Sequence, residues 1–182
     1  VLFRSYINRT YDDLGQFLKP GKVVVIYGPR QVGKTTLIRR YLENAKKPYR
    51  YDTGDNILTR ELYESQHLPK LLSYAEGMHL IALDEAQRIP GVGLSLKLLI
   101  DARPDLSIIA TGSSSFELAG HIGEPLTGRK TTLTLYPLSQ KELAKSSTSY
   151  DLDQALADRL LYGSYPAVVT AQSASEKLLI LK

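Results

Sequence analysis

The feature that most restricts this chain is one unbroken stretch, Lys22-Val23-Val24-Val25-Ile26-Tyr27, running directly into Gly28-Pro29-Arg30-Gln31-Val32-Gly33-Lys34-Thr35. Successive β-branched residues without polar alternation describe a strand buried on both faces, which belongs in the middle of a helix-covered sheet. After the glycine-bounded loop, Leu37, Ile38, Tyr41 and Leu42 fall on one side of a helix that continues from Thr35. A buried strand, a glycine-rich loop and an amphipathic helix begin a parallel α/β layer, because parallel strands need helical, right-handed crossovers.

The loop fits G-x-x-x-x-G-K-[ST]. Its glycines let the backbone curl until N–H groups converge on one point, and the positive end of the following helix lies behind them. That is a cradle for a polyphosphate. In it the Lys34 ammonium reaches the β- and γ-phosphates, and the Thr35 hydroxyl ligates Mg²⁺. The nucleotide-binding set expected from the pattern is Gly28, Pro29, Arg30, Gln31, Val32, Gly33, Lys34, Thr35 and Thr36.

The remaining chain keeps the alternation. Strands are expected at Tyr49 to Asp52, His79 to Asp84, Asp105 to Thr111 and Thr131 to Tyr136, with helices around Ile57 to Tyr63 and Leu68 to Tyr74. Leu94 to Ile100 alternates like a strand at Leu94, Leu96 and Leu98, but the crossover between parallel strands predicts a helix there. Ile7, Tyr11, Leu14 and Leu18 have helical spacing closed by Pro20-Gly21. Beyond Pro137 only helices are predicted. Ser139 to Glu142 and Asp151 to Gln154 both have capping-box spacing, the second opening a helix with Leu152, Leu156 and Leu160 on one side. Gly163 to Pro166 breaks that helix, and a last one starts near Ser175. The expected division is a core over 1–138 and a small helical lid over 139–182. The chain begins without Met and stops at Leu178-Leu179-Ile180-Leu181-Lys182 with no helix stop signal, which reads as a fragment lacking its C-terminal continuation.

Leu80-Ile81-Ala82-Leu83-Asp84-Glu85 is an apolar strand ending in two carboxylates. Beside a phosphate cradle, Asp84 is the expected metal-site carboxylate together with Thr35, and Glu85 the base that orients the attacking water. The strand Ser107 to Thr111 runs into Gly112-Ser113-Ser114-Ser115. Ser113 is the expected γ-phosphate sensor, with Thr111 and Ser114 as rivals and helix capping as the plain alternative for Ser114. Arg129, in Gly128-Arg129-Lys130, is either a surface residue at a strand start or a charge presented to a neighbouring subunit, which requires an oligomer or a bound partner.

Composition excludes several classes. The 182 residues include no Cys, so disulfides and thiolate chemistry are out, which fits a reducing cytoplasm. No apolar run approaches the roughly 20 residues of a membrane span, and the apolar stretch in Val1-Leu2-Phe3-Arg4-Ser5 is too short to read as a signal peptide. The net charge of +4 comes without any run of five basic residues, so coupling to nucleic acid has no motif behind it.

Taken in order, Tyr27 to Leu37, Leu83-Asp84-Glu85-Ala86-Gln87, Thr111 to Ser115, Leu126-Thr127-Gly128-Arg129 and Tyr136-Pro137-Leu138-Ser139 resemble the AAA+-type ATPases of bacteria and archaea that go by the name "ATP-binding protein". The resemblance runs from about Tyr6 to Val169. It implies an α/β P-loop NTPase sandwich with a parallel five-stranded sheet in order 5-1-4-3-2, an ATPase core with ATP and Mg²⁺, and a C-terminal helical lid. It also carries over Lys34, Thr35, Asp84, Glu85, Ser113 as sensor and Arg129 as arginine-finger candidate. Members add a further C-terminal domain, so the motion is expected to act on that missing domain or on a protein partner. Adenine over guanine rests on the resemblance, since no Asn-Lys-x-Asp guanine reader is present. Gly163-Ser164 departs from the family's double glycine. A nucleotide-loaded switch with little turnover uses the same residues, and a nucleic-acid-coupled ATPase is the weaker alternative.

Overall fold

The computed structural model describes residues 6–113 and 125–182. Its core is a five-stranded sheet of β1 (Lys22–Tyr27), β2 (Tyr49–Thr53), β3 (Leu80–Asp84), β4 (Ser107–Gly112) and β5 (Lys130–Thr134). The strands lie in the order β2-β3-β4-β1-β5, and every pairing is parallel. This is the order expected from the resemblance, read from the opposite edge. Between β1 and β4 come α1 (Lys34–Glu43), α2 (Ile57–Glu64), α3 (Leu68–Tyr74) and α4 (Val92–Ala102).

Alternate residues of a strand face opposite sides of its sheet, and β1 shows both sides buried. Val23, Val25 and Tyr27 join Ile81, Ile108, Tyr63, Leu71 and Leu96 in one apolar layer. Val24 and Ile26 join Ile109, Leu133, Leu37, Ile38 and Leu14 in the other. The result is a helix–sheet–helix sandwich. Because all strands run one way, their carboxyl ends share one edge, the place where ligands bind in open α/β sheets. The loop after β1 and the acidic pair after β3 both fall there.

The ambiguous segment is the predicted helix. In α4, Val92, Leu96, Leu99 and Ile100 are buried at helical spacing, while Leu94 is 38% exposed.

Two expectations are corrected. The leading segment is not a helix: only a 3₁₀ turn over Leu14–Phe17 forms. The Arg9 N–H donates to Asp12 Oδ2 at 2.9 Å and the Gly15 N–H to Asp13 Oδ1 at 3.1 Å. These local carboxylate bonds compete with helix propagation. The second capping box is not headed by Asp151. Thr148 caps instead, its Oγ1 accepting from the Asp151 N–H at 3.2 Å while Asp151 Oδ2 accepts from the Thr148 N–H at 3.0 Å. The helix also splits at Ala155, so the stripe Leu152, Leu156, Leu160 does not form a buried face, and Leu160 is 79% exposed.

The segment after Leu138 comprises α5 (Gln140–Leu143), α6 (Ser149–Gln154), α7 (Leu156–Tyr162), α8 (Pro166–Val169) and α9 (Ala174–Ile180). Ser139 and Glu142 form the reciprocal cap expected for α5.

Candidate nucleotide-binding site

Backbone shape builds the loop. A Cβ on Gly28 would sit 2.3 Å from the Leu135 carbonyl oxygen, so no other residue fits between β1 and the chain leaving β5. Gln31 at φ 62° and Gly33 at φ 99° are left-handed, which curls the chain around Val32 before α1 begins at Lys34. Lys34 is buried. Its Nζ donates to the Gly28 and Pro29 carbonyls, each at 2.8 Å, so the ammonium closes the ring that its own loop makes. Burial pulls its pKa below the ordinary lysine value. Glu85 and Asp84 push the other way, and nearby Arg30 lowers it further.

Asp84 closes β3 and is 3% exposed. The Thr35 hydroxyl donates to its Oδ2 at 2.6 Å, and the Tyr51 hydroxyl donates to the same oxygen at 3.0 Å. Thr111 donates to Oδ1. Burial first, then the Asp84 charge, raises the Tyr51 pKa, so it remains a donor. The Glu85 N–H reaches Thr111 Oγ1 at 3.0 Å. Glu85 itself is left-handed at φ 52°. It is seated over Gly54, where a Cβ would come within 2.3 Å of the Glu85 carbonyl oxygen. The Gln87 side-chain amide donates to Glu85 Oε2.

The donor set at Thr35 and Asp84 is oxygen only. A hard cation that keeps several waters and shares substrate phosphates needs just one or two protein oxygens of this kind, so these residues fit Mg²⁺.

A second cluster ties the loop to the helical segment. Arg9, 5% exposed, donates from Nε to Glu142 Oε1 at 3.0 Å, from Nη1 to the Val32 carbonyl at 2.8 Å, and from Nη2 to the Tyr136 carbonyl. Glu142 Oε1 also accepts from the Thr10 N–H at 2.7 Å, and Oε2 from the Ser139 N–H at 2.8 Å. Burial would raise the Glu142 pKa, but the Ser139 and Thr10 amides and the Arg9 guanidinium together pull it down to about 2.

Two openings flank the loop. One, of about 220 Å³, is mostly apolar and lined by Tyr6, Ile7, Thr36, Leu138, Pro166 and Thr170. The other, of about 480 Å³, is polar and lined by Arg30, Thr35, Tyr51, Asp84 and Glu85 among others.

The structure therefore gathers Gly28 to Thr36, Asp84 and Glu85 at one edge. At the end of β4 it places Thr111, fully buried, against Asp84, while Ser113 lies beyond the strand and Ser114 lies outside the described residues. Arg129 is not brought to the site. It precedes β5, its carbonyl accepts from the Val23 N–H at 2.9 Å, and its Nε pairs with Asp101 at 2.9 Å, all at the opposite edge of the sheet. Sequence reasoning passed over Arg9, Glu142, Tyr51, Gly54 and Gln87. Gln87 carried a signal in its place two residues beyond the acidic pair, and Glu142 carried one only as the capping partner of Ser139.

A parallel sheet with a buried lysine in a glycine-built loop, and a strand-end Asp bonded to the next Thr, defines a P-loop nucleoside triphosphatase. The family model described as an AAA domain matches residues 20–144, and the chain belongs to that family of AAA+-type P-loop ATPases. Uncharacterised proteins of Mycobacterium tuberculosis and Mycobacterium bovis are each 33% identical over 163 residues, covering 88% of this chain and 33% of their own length. One from Haemophilus influenzae is 26% identical over 182 residues, covering 91% of this chain and 44% of its own. The chain thus spans a third to less than half of these relatives. Among solved structures, a signal transduction ATPase with numerous domains from Pyrococcus horikoshii, carrying a tetratricopeptide repeat sensor, superposes with a TM-score of 0.57 at 16% identity, over 90% of this chain and 29% of that one. That likeness concerns the fold. Among the described residues no helix is long and apolar enough to cross a membrane.

Proposed function

We propose that this domain binds ATP with Mg²⁺ and hydrolyses it, and that the cycle moves a protein partner or a C-terminal domain of its own. The observation that carries the reading is the Thr35–Asp84 hydrogen bond at 2.6 Å, which joins the phosphate loop to the strand-end carboxylate. In this reading Lys34 leaves the Gly28 and Pro29 carbonyls for the phosphates, and loop amides take the remaining phosphate oxygens. Mg²⁺, when bound, would supply charge neutralisation at the phosphates. Thr35 and Asp84 hold it. Glu85 accepts a hydrogen bond from the attacking water and orients it. The apolar opening beside Thr36 receives the adenine, and because Pro166, Ala167 and Thr170 line it, residues 139–182 act as its lid. Ser113 is kept as sensor beside Thr111.

A nucleotide-loaded switch with little turnover has one observation on its side: Gln87 occupies a carboxylate oxygen of Glu85. Glu85→Gln separates the two. For an ATPase it keeps Mg-ATP binding and lowers single-turnover phosphate release by about 10²–10⁴-fold. For a switch the wild type is already that slow. Arg129 enters only in a homo-oligomer, and a rise of kcat with protein concentration that Arg129→Ala abolishes is its test. Stimulation of phosphate release by DNA or RNA tests the nucleic-acid-coupled alternative.

A further inference from the structure

Three arginines, Arg30, Arg39 and Arg88, line the polar cleft that also holds Thr35, Asp84 and Glu85. Two are engaged. Arg88 pairs with Asp55 at 2.6 Å, and Arg39 lies over the Tyr51 ring at 5.3 Å. The third is different. Among the described residues Arg30 has no ion pair, hydrogen bond or ring contact, although it shares its loop with Lys34. Two cations held in one turn repel each other, and a bound polyanion attracts both and offsets that repulsion. The left-handed turn at Gln31 follows immediately, and Arg30 lines the same cleft as Glu85.

We propose that Arg30 stabilises the charge that develops during γ-phosphoryl transfer, supplied in cis from the chain's own phosphate loop. The proposal rests on the ATPase reading above. The oxygen of water attacks the γ-phosphorus and forms the new P–O bond. The bond from that phosphorus to the bridging oxygen breaks, and its electron pair leaves on the β-phosphate of ADP. One proton of the water passes to Glu85 and then to solvent. During the step negative charge spreads over the γ- and bridging oxygens, and the forked donors of a guanidinium suit two such oxygens better than an ammonium does. Arg129, held by Asp101 at the far edge of the sheet, cannot do this within its own chain.

The test uses the chain as it is, with Mg²⁺ present throughout. Three quantities are measured for wild type, Arg30→Ala and Arg30→Lys: Mg-ATP affinity, kcat over serial dilution, and trapping of ADP–aluminium fluoride as a transition-state mimic. The expected result is a wild-type kcat per chain that is independent of dilution, together with near-normal Mg-ATP affinity in both variants. Arg30→Ala is expected to lose trapping and about 10³-fold in kcat, with Arg30→Lys in between. Equal trapping by Arg30→Ala overturns the proposal, as does a loss confined to Mg-ATP affinity or a wild-type kcat that collapses on dilution. A wild type that binds Mg-ATP but neither traps nor turns over removes the ATPase reading, and this proposal with it.

Discussion

The sheet edge around Asp84 and the helical segment after Leu138 are held by different means. At the sheet edge β1, β3 and β4 are buried on both faces, and Asp84 takes bonds from Thr35, Tyr51 and Thr111 in a nearly closed network. In the helical segment, α6, α7 and α9 contain no buried residue, and Leu160, Leu161 and Leu179 are 79%, 71% and 71% exposed. That segment is attached at few places, chiefly the Arg9–Glu142 pair and the buried Leu138, Leu143 and Val168. The difference teaches where motion is cheap. Displacing the helices exposes little new apolar surface, whereas opening the sheet edge leaves a buried carboxylate unpaired. The attachment also touches the phosphate loop, through Arg9 and the Val32 carbonyl, so the sparsely packed segment is tied to the closely packed one.

The comparison is broken most easily at Arg9. Arg9→Ala leaves Glu142 buried without its cation and is expected to cost about 3–5 kcal/mol in urea unfolding. A loss below about 1 kcal/mol would mean that the pair does not fasten the segment. A smaller effect comes with acid. Because folding depresses the Glu142 pKa, its contribution is complete above the ordinary value of 4.5 and is lost as pH falls toward about 2. Proteolytic sensitivity after Leu138 should therefore rise across that window before the sheet unfolds, and Glu142→Gln should flatten the response. Smallest of all, Leu160→Ser and Leu179→Ser should change stability by no more than about 0.5 kcal/mol. A cost above about 1.5 kcal/mol from either would show that these leucines are covered in solution.

What was legible in the sequence follows from how local each signal is. The strand, loop and helix from Lys22 to Glu43 carry their own instructions: β-branched burial, positive-φ glycine and apolar spacing. The helix at Leu94 to Ile100 needed topology, because its periodicity alone pointed to a strand. Arg9 and Glu142 stand 133 positions apart, and nothing in either neighbourhood announces the other. Placing Thr111 and Ser113 needed the register, which pairs Thr111 with Ile26 and leaves Ser113 beyond the last paired residue, Gly112. The leading segment and the cap at Thr148 depart from expectation for one reason: short polar side chains that bond their own backbone decide local structure against apolar spacing.

The most direct trial is titration calorimetry of Mg-ATP into the folded chain and into Lys34→Ala. The account predicts saturable heat with one site per chain for the wild type, competition by ADP, and little or no heat for Lys34→Ala. Absence of heat from well-folded wild type, or an unchanged isotherm for Lys34→Ala, would contradict it.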